Sequence, residues 1–212
     1  MQSKIFYFYD ALCGWCYGFS PVIRRLHRHF GQAIDFQVFS GGMVRGDRVG
    51  PIGEMAPYIR DACQKVEERT GITFGEPFLK QLDGGNAIFS SLPPAIALLV
   101  FRRERPEDTV PFAADLQAAI YRDGMPPTRV QAYGPLVEPF GLDGEAFVEA
   151  MTREEHLRAA KQEFEECARL GISGFPTLIL HHEGRNFLLA RGYVPYDPLA
   201  RQLEERGLSR SA

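Results

Sequence analysis

Residues 9–21 read YDALCGWCYGFSP. Cys13 and Cys16 stand two residues apart, at a seam between two patterns. Before them KIFYFY, residues 4–9, is rich in β-formers and too short for a helix, so it reads as a strand. After them Phe19, Val22, Ile23, Leu26 and Phe30 recur at spacings of three and four. That is one face of a helix running from Trp15 to Phe30, with Pro21 expected to kink it. A cysteine pair at such a junction has three readings: a staple, half of a metal site, or a working redox pair.

Outward from this stretch, IDFQVF at 34–39 reads as a second strand, giving a β-α-β unit with parallel strands and a right-handed crossover. The Gly-rich SGGMVRGDRVGPIG, 40–53, reads as loop. From about residue 54 to 170 the pattern is helical. EMAPYIRDACQKVEERTG sets Met55, Ile59, Ala62 and Val66 on one face and stops at Gly71. SSLPPAIALLVFRRER opens with serines and prolines, a helix start. DTVPFAADLQAAIYRDG, TRVQAYGPLVEPFG and DGEAFVEAM follow as shorter pieces. TREEHLRAAKQEFEECARLG, the longest of the block, places Thr152 and Glu155 in capping-box register and Leu157, Ala160, Phe164 and Cys167 on its core face. The β pattern returns in FPTLIL, 175–180, and past an HHEGR turn in NFLLAR, 186–191; DPLARQLEERG closes the chain as a helix. Neither β block can make a stable sheet alone. The two are therefore expected to join into one four-stranded sheet, an α/β fold with residues 1–50 and 171–212 in one domain and 51–170 as an inserted helical domain.

The whole chain has 212 residues, 45% hydrophobic and 24% charged, with a net charge of −3, an ordinary globular composition. It carries no electrostatic footprint for nucleic acid or an anionic membrane surface, and neither is expected as a partner. No apolar run approaches the roughly 18 residues of a membrane span; AIALLVF at 95–101 runs straight into Arg102, Arg103, Glu104 and Arg105. At the N-terminus the apolar stretch stops at Asp10, which does not suit a secretory signal, so a cytoplasmic location is expected.

Chemistry separates the three readings of the pair. Cys13 falls just before the first helical turn, where free backbone N–H groups and the positive end of the helix dipole favour an anion such as a thiolate. Cys16 lies one turn on, within disulfide reach and more buried. That placement suits a nucleophile and a resolving thiol. A staple across two residues closes too short a loop to stabilise much. A zinc site wants a second ligand pair, and Cys63 and Cys167 are isolated on apolar helix faces, where they read as small core residues; no metal is expected. Four cysteines are too few for a disulfide scaffold.

With these elements in order, the chain resembles the DsbA family of the thioredoxin superfamily. The resemblance rests on Cys13-Gly14-Trp15-Cys16 and on Gly171-Ile172-Ser173-Gly174-Phe175-Pro176-Thr177, and its order of elements spans nearly the whole chain. The form D-x-x-C-x-W-C-Y-G-F, Asp10 to Phe19, is most similar to the cytoplasmic FrnE-like branch of predicted protein-disulfide isomerases. The resemblance implies a thioredoxin-like fold with a large helical insertion between β-α-β and β-β-α halves. It implies Cys13 and Cys16 as catalytic thiols, with Gly14, Trp15, Phe175 and Pro176 contacting substrate. Pro176 takes the place of the family's cis-proline facing the disulfide, presenting a backbone edge to a substrate peptide. It further implies thiol–disulfide exchange on protein or small-molecule disulfides, no bound cofactor, and glutathione as a redox partner. The best-known periplasmic members carry Pro-His between the cysteines. Trp15 adds no positive charge beside the thiolate, so this pair is expected to be less oxidising, which suits a reductase or isomerase better than an oxidase.

Other residues give weaker signals. Asp10, three residues before Cys13, reads equally as a proton relay for the thiols and as a turn former at the helix start. Arg45 and Arg48 read first as a solvated loop and second as holders of glutathione carboxylates. His27 and His29 read as solvated on a helix face; His181 and His182 lie at a strand end beside a turn; none has ligand spacing. Two further functions compete. One is a glutathione-dependent transferase or isomerase of the kappa or 2-hydroxychromene-2-carboxylate isomerase type, whose members typically carry serine where Cys13 stands. The other is a non-enzymatic binding module or chaperone.

Overall fold

The computed structural model describes residues 2–210. Its centre is the strand that runs into the cysteine turn. Strand β1, Ser3–Tyr9, leads to helix α1, Gly14–Phe30, and strand β2, Ile34–Ser40. β2 lies parallel to β1, with Tyr7 opposite Val38. Near the C-terminus, β5, Thr177–His182, and β6, Arg185–Arg191, pair antiparallel, and β5 lies antiparallel to β1 with Tyr7 opposite Leu178. The sheet order is β2-β1-β5-β6, so the two ends of the chain build one four-stranded sheet as expected. β1 is central because Ile5, Tyr7 and Tyr9 are fully or almost fully buried on one face. α1 packs there through Cys16, Phe19, Ile23 and Leu26, the face its periodicity marks.

Between β2 and β5 the chain is mostly helical: α2, Ala56–Thr70; α3, Glu76–Gly84; α4, Leu92–Glu104; α5, Thr109–Tyr121; the short α6, Gly134–Val137; α7, Gly144–Met151; and α8, Glu154–Arg169. Helix α9, Tyr196–Glu204, closes the chain. Phe101 of α4 stacks on Phe112 of α5, ring centroids 4.0 Å apart, with Phe140 edge-on to both. This packing is continuous with the core of the sheet.

Several expectations are corrected. The 40–53 stretch is not all loop: β3, Gly50–Pro51, pairs antiparallel with β4, Ile88–Phe89. Strands of two residues carry no alternation that a sequence could display. Helix α3 is an addition, opened by Pro77 in its first turn. On α2 the buried residues are Cys63 and Val66, whereas Met55 lies before the helix and is 52% exposed. The capping box is absent. Arg153 is the N-cap of α8, and the Thr152 hydroxyl donates to the Glu149 carbonyl instead. The buried face of α8 includes His156 and Glu163, while Leu157 is only half-buried. His27 and His29 are half-buried rather than fully solvated: His27 packs edge-on to Phe36, and His29 Nδ1 is 2.6 Å from the Tyr196 hydroxyl.

Candidate active site

β1 ends in a tight turn that sets up α1. The Cys13 amide donates to the Asp10 carbonyl at 3.0 Å, and Cys13 itself is the extended N-cap of α1. Its sulfur therefore sits at the end of the helix where backbone N–H groups lack intrahelical partners. Cys13 is 6% exposed and Cys16 0%, and both are free thiols. Opposite them, the Phe175–Pro176 bond is cis. The Cys13 thiol donates to the Phe175 carbonyl at 3.5 Å. Pro176 is buried at the entry to β5, and its carbonyl accepts from Gly192 at 2.7 Å.

A cysteine pair at a helix N-terminus facing a cis-proline, across a sheet built from both chain ends, is matched over residues 4–204 by the family model of the DSBA-like thioredoxin domain. The chain belongs to this family. Among solved structures it is similar to the cytosolic disulfide reductase DsbM from Pseudomonas aeruginosa, at 30% identity and a TM-score of 0.81, over 97% of this chain and 100% of that one. DsbM has also been solved with GSH. A candidate protein disulfide isomerase from Nitrosomonas europaea shares the fold, with a TM-score of 0.82 at 22% identity over 97% of each chain. Among curated proteins the ClpXP adapter protein SpxH of Halalkalibacterium halodurans is 20% identical, over 95% of this chain and 67% of that protein.

In this DsbA-like chain the carboxylate of Asp10 is buried and fully engaged. It accepts from the Leu12 amide at 2.9 Å, the Met43 amide at 2.7 Å and the Ser91 hydroxyl at 2.9 Å. Gln117 donates to its carbonyl. Burial pushes the Asp10 carboxyl up, and the Met43, Leu12 and Ser91 donors pull it back. This is the geometry of a turn former that also ties the cysteine turn to the loop after β2 and to the start of α4. The Cys16 thiol is held well above its usual range by burial, with the adjacent Cys13 sulfur adding to the effect.

Gly14 and Trp15 are half-buried. A side chain at Gly14 would meet Phe74 at 3.5 Å, so the helical segment walls one side of the dipeptide. Phe74, Ser91, Gln117 and Tyr121 around the turn escape a sequence reading, because they reach it only through tertiary packing. The one available signal was the Ser90-Ser91 pair ahead of Pro93-Pro94, which marks a helix start but not its neighbour. Arg45 and Arg48 are exposed on the loop after β2. Burial pushes the Cys63 and Cys167 thiols up to about 12.

Proposed function

We propose that the chain is a thiol–disulfide reductase of the cytoplasm that opens protein or small-molecule disulfides and is itself recycled by glutathione. The observation that supports it is the Cys13 sulfur at the N-terminus of α1, 3.5 Å from the carbonyl of the Phe175–Pro176 edge, with a buried Cys16 behind it. In this reading the Cys13 thiolate attacks one sulfur of the substrate disulfide, and the other sulfur leaves as a thiolate. A Cys13–substrate mixed disulfide results. Cys16 then attacks the Cys13 sulfur, the substrate's second sulfur leaves, and a Cys13–Cys16 disulfide remains. Two glutathione thiols reduce that pair and leave as glutathione disulfide. The Phe175 and Pro176 backbone receives the extended substrate segment, and Gly14 and Trp15 form the floor beside the sulfur. Likeness to DsbM, a reductase solved with GSH, and the uncharged Trp15 both favour the reducing direction. Asp10 holds the turn; it would relay protons only with an oxygen released by Leu12, Met43 or Ser91.

Reduction of insulin with a glutathione-regenerating system tests this. Cys13→Ser loses exchange, and Cys16→Ser accumulates mixed disulfides that trap substrate. Full activity in Cys13→Ser overturns the reading. Likeness to SpxH favours a second one, a protein-binding adapter. Partner binding that survives the Cys13→Ser/Cys16→Ser double variant is its signature.

A further inference from the structure

Resolution of the mixed disulfide requires Cys16 to become a thiolate in a site closed to water. A thiolate there needs a donor, since an unpaired buried charge is strongly penalised. The Asp10 backbone already hydrogen-bonds Cys16 in the sense that favours its charged form, and the inner face of β1 supplies a further donor. β1 runs toward the cysteine turn and α1 returns over it. Tyr7 packs on Phe19 with ring centroids 5.9 Å apart, and on Tyr9 at 5.5 Å. Cys16 precedes Phe19 by one turn on the same buried face of α1, the face that meets Tyr7 through Phe19. Both tyrosines are at most 1% exposed, and neither hydroxyl has a nitrogen or oxygen partner among the described residues; the side chain acting on the Tyr7 hydroxyl as a hydrogen-bonding neighbour is Cys16. A buried hydroxyl without a partner is destabilising, so its retention calls for a use.

We propose that the Tyr7 hydroxyl is a hydrogen-bond donor that receives the Cys16 thiolate as the mixed disulfide is resolved. The inference rests on the exchange reading above. Cys16 gives up its proton and attacks Cys13; the Cys13–substrate bond breaks, the electron pair leaves with the substrate sulfur, and that thiolate takes the proton. Tyr7 donates a hydrogen bond throughout and keeps its own proton. Burial holds its phenol well above the usual range, and the charge at Cys16 is the next cause, ahead of Tyr9 and Cys13. Tyr9 is held up by burial and then by Asp10 before Cys16. Both phenols feel the charge at Cys16, and Tyr7 is the one whose ring packs on Phe19 of α1. The groups whose charge acts on Cys16 or on this pair are Asp10 and Cys13 from the turn, Tyr7 and Tyr9 from β1, Glu163 from α8 and Tyr133 from the segment before α6. Tyr121 of α5 feels both cysteines and Asp10.

The test uses 5,5′-dithiobis(2-nitrobenzoate) on the reduced full-length protein. Attack by Cys13 releases one coloured thiolate, and resolution by Cys16 releases the second. In Tyr7→Phe the first phase keeps its rate, and the second slows about tenfold or more, the scale of one hydrogen bond to a charged group. The pH midpoint of the second phase also rises. Tyr9→Phe, a matched loss of a buried hydroxyl, leaves the second phase near wild type. An unchanged second phase in Tyr7→Phe overturns the inference. So does equal slowing of both phases, or a Tyr9→Phe variant that behaves the same way. Failure of the exchange reading itself shows earlier and separately: wild type then lacks the two-step release before any tyrosine is changed. The variant removes a single oxygen that has no nitrogen or oxygen partner, so the fold is expected to tolerate it; unfolding curves for both variants verify this, and the wild-type second phase, shifted by 3-fluorotyrosine at position 7 to a lower pH midpoint, gives an independent check.

Discussion

Gly41 shows how much one absent side chain can determine. Its amide donates to the Tyr9 carbonyl at 2.8 Å, continuing the pairing of β1 with β2. A Cβ there would fall 1.8 Å from the Phe175 ring. The ring that precedes Pro176 therefore lies where any other residue would put its side chain, and the Phe175 carbonyl beside Cys13 depends on that seat. Gly41→Ala must displace Phe175. The expected outcome is a fall of about tenfold in kcat/KM toward insulin, carried mostly by KM, with alkylation of Cys13 by a small reagent unchanged. Steady-state kinetics on insulin and on a small disulfide check this; equal losses on both would refute the seat. The sequence shows Gly41-Gly42 plainly, and its reading as loop was locally sound. What it could not show is that the space is taken by a residue from the far end of the chain. Cys13, Cys16 and Pro176 were legible because their motifs are local. Tyr7 was legible only as a strand residue.

At the scale of elements, the outer edge of β2 is closed by side chains. Glu163 of α8 accepts from the Ser40 amide at 2.7 Å and pairs with Arg102 of α4 at 2.6 Å. Arg102 also donates to the Val38 carbonyl, and the Cys167 thiol donates to the Ser40 carbonyl at 3.5 Å. An open strand edge invites pairing with another chain. Here two helices satisfy it and are docked by it. Glu163→Ala strands the Ser40 amide and a half-buried guanidinium together. We expect a loss of about 2–3 kcal/mol, below the full figure for a buried pair because Arg102 keeps some contact with water. Urea unfolding measures it as a lower midpoint at unchanged slope; a midpoint within error of wild type would count against the edge-closing role. Helix periodicity found α8 but not this role. In EFEEC the first of three glutamates, Glu163, looks like one more solvated charge, and only the edge of β2 distinguishes it.

Across the whole molecule, Cys63 and Cys167 are the buried free thiols that lie apart from the cysteine turn, on α2 and α8. Their thiols, ordinarily near 9.0, are pushed up to about 12 by burial. Below pH 9 they are protonated in both folded and unfolded chains. Above it the unfolded chain gains by ionising while the folded one does not, so stability falls between about pH 9 and 12. Unfolding midpoints across that range should decline less steeply in Cys63→Ala/Cys167→Ala than in wild type; parallel curves would place both thiols in contact with water. Cys167→Ser keeps a partner in the Ser40 carbonyl. The sheet order carries a consequence for synthesis. Cys13 emerges from the ribosome early, and the carbonyl that meets it is 162 residues behind. Until β5 slots in beside β1, a nascent chain bears Cys13 and Cys16 without the Phe175–Pro176 edge packed against them. Ribosome-bound chains ending before residue 170 should therefore react indiscriminately with small disulfides, and chains released at full length should not.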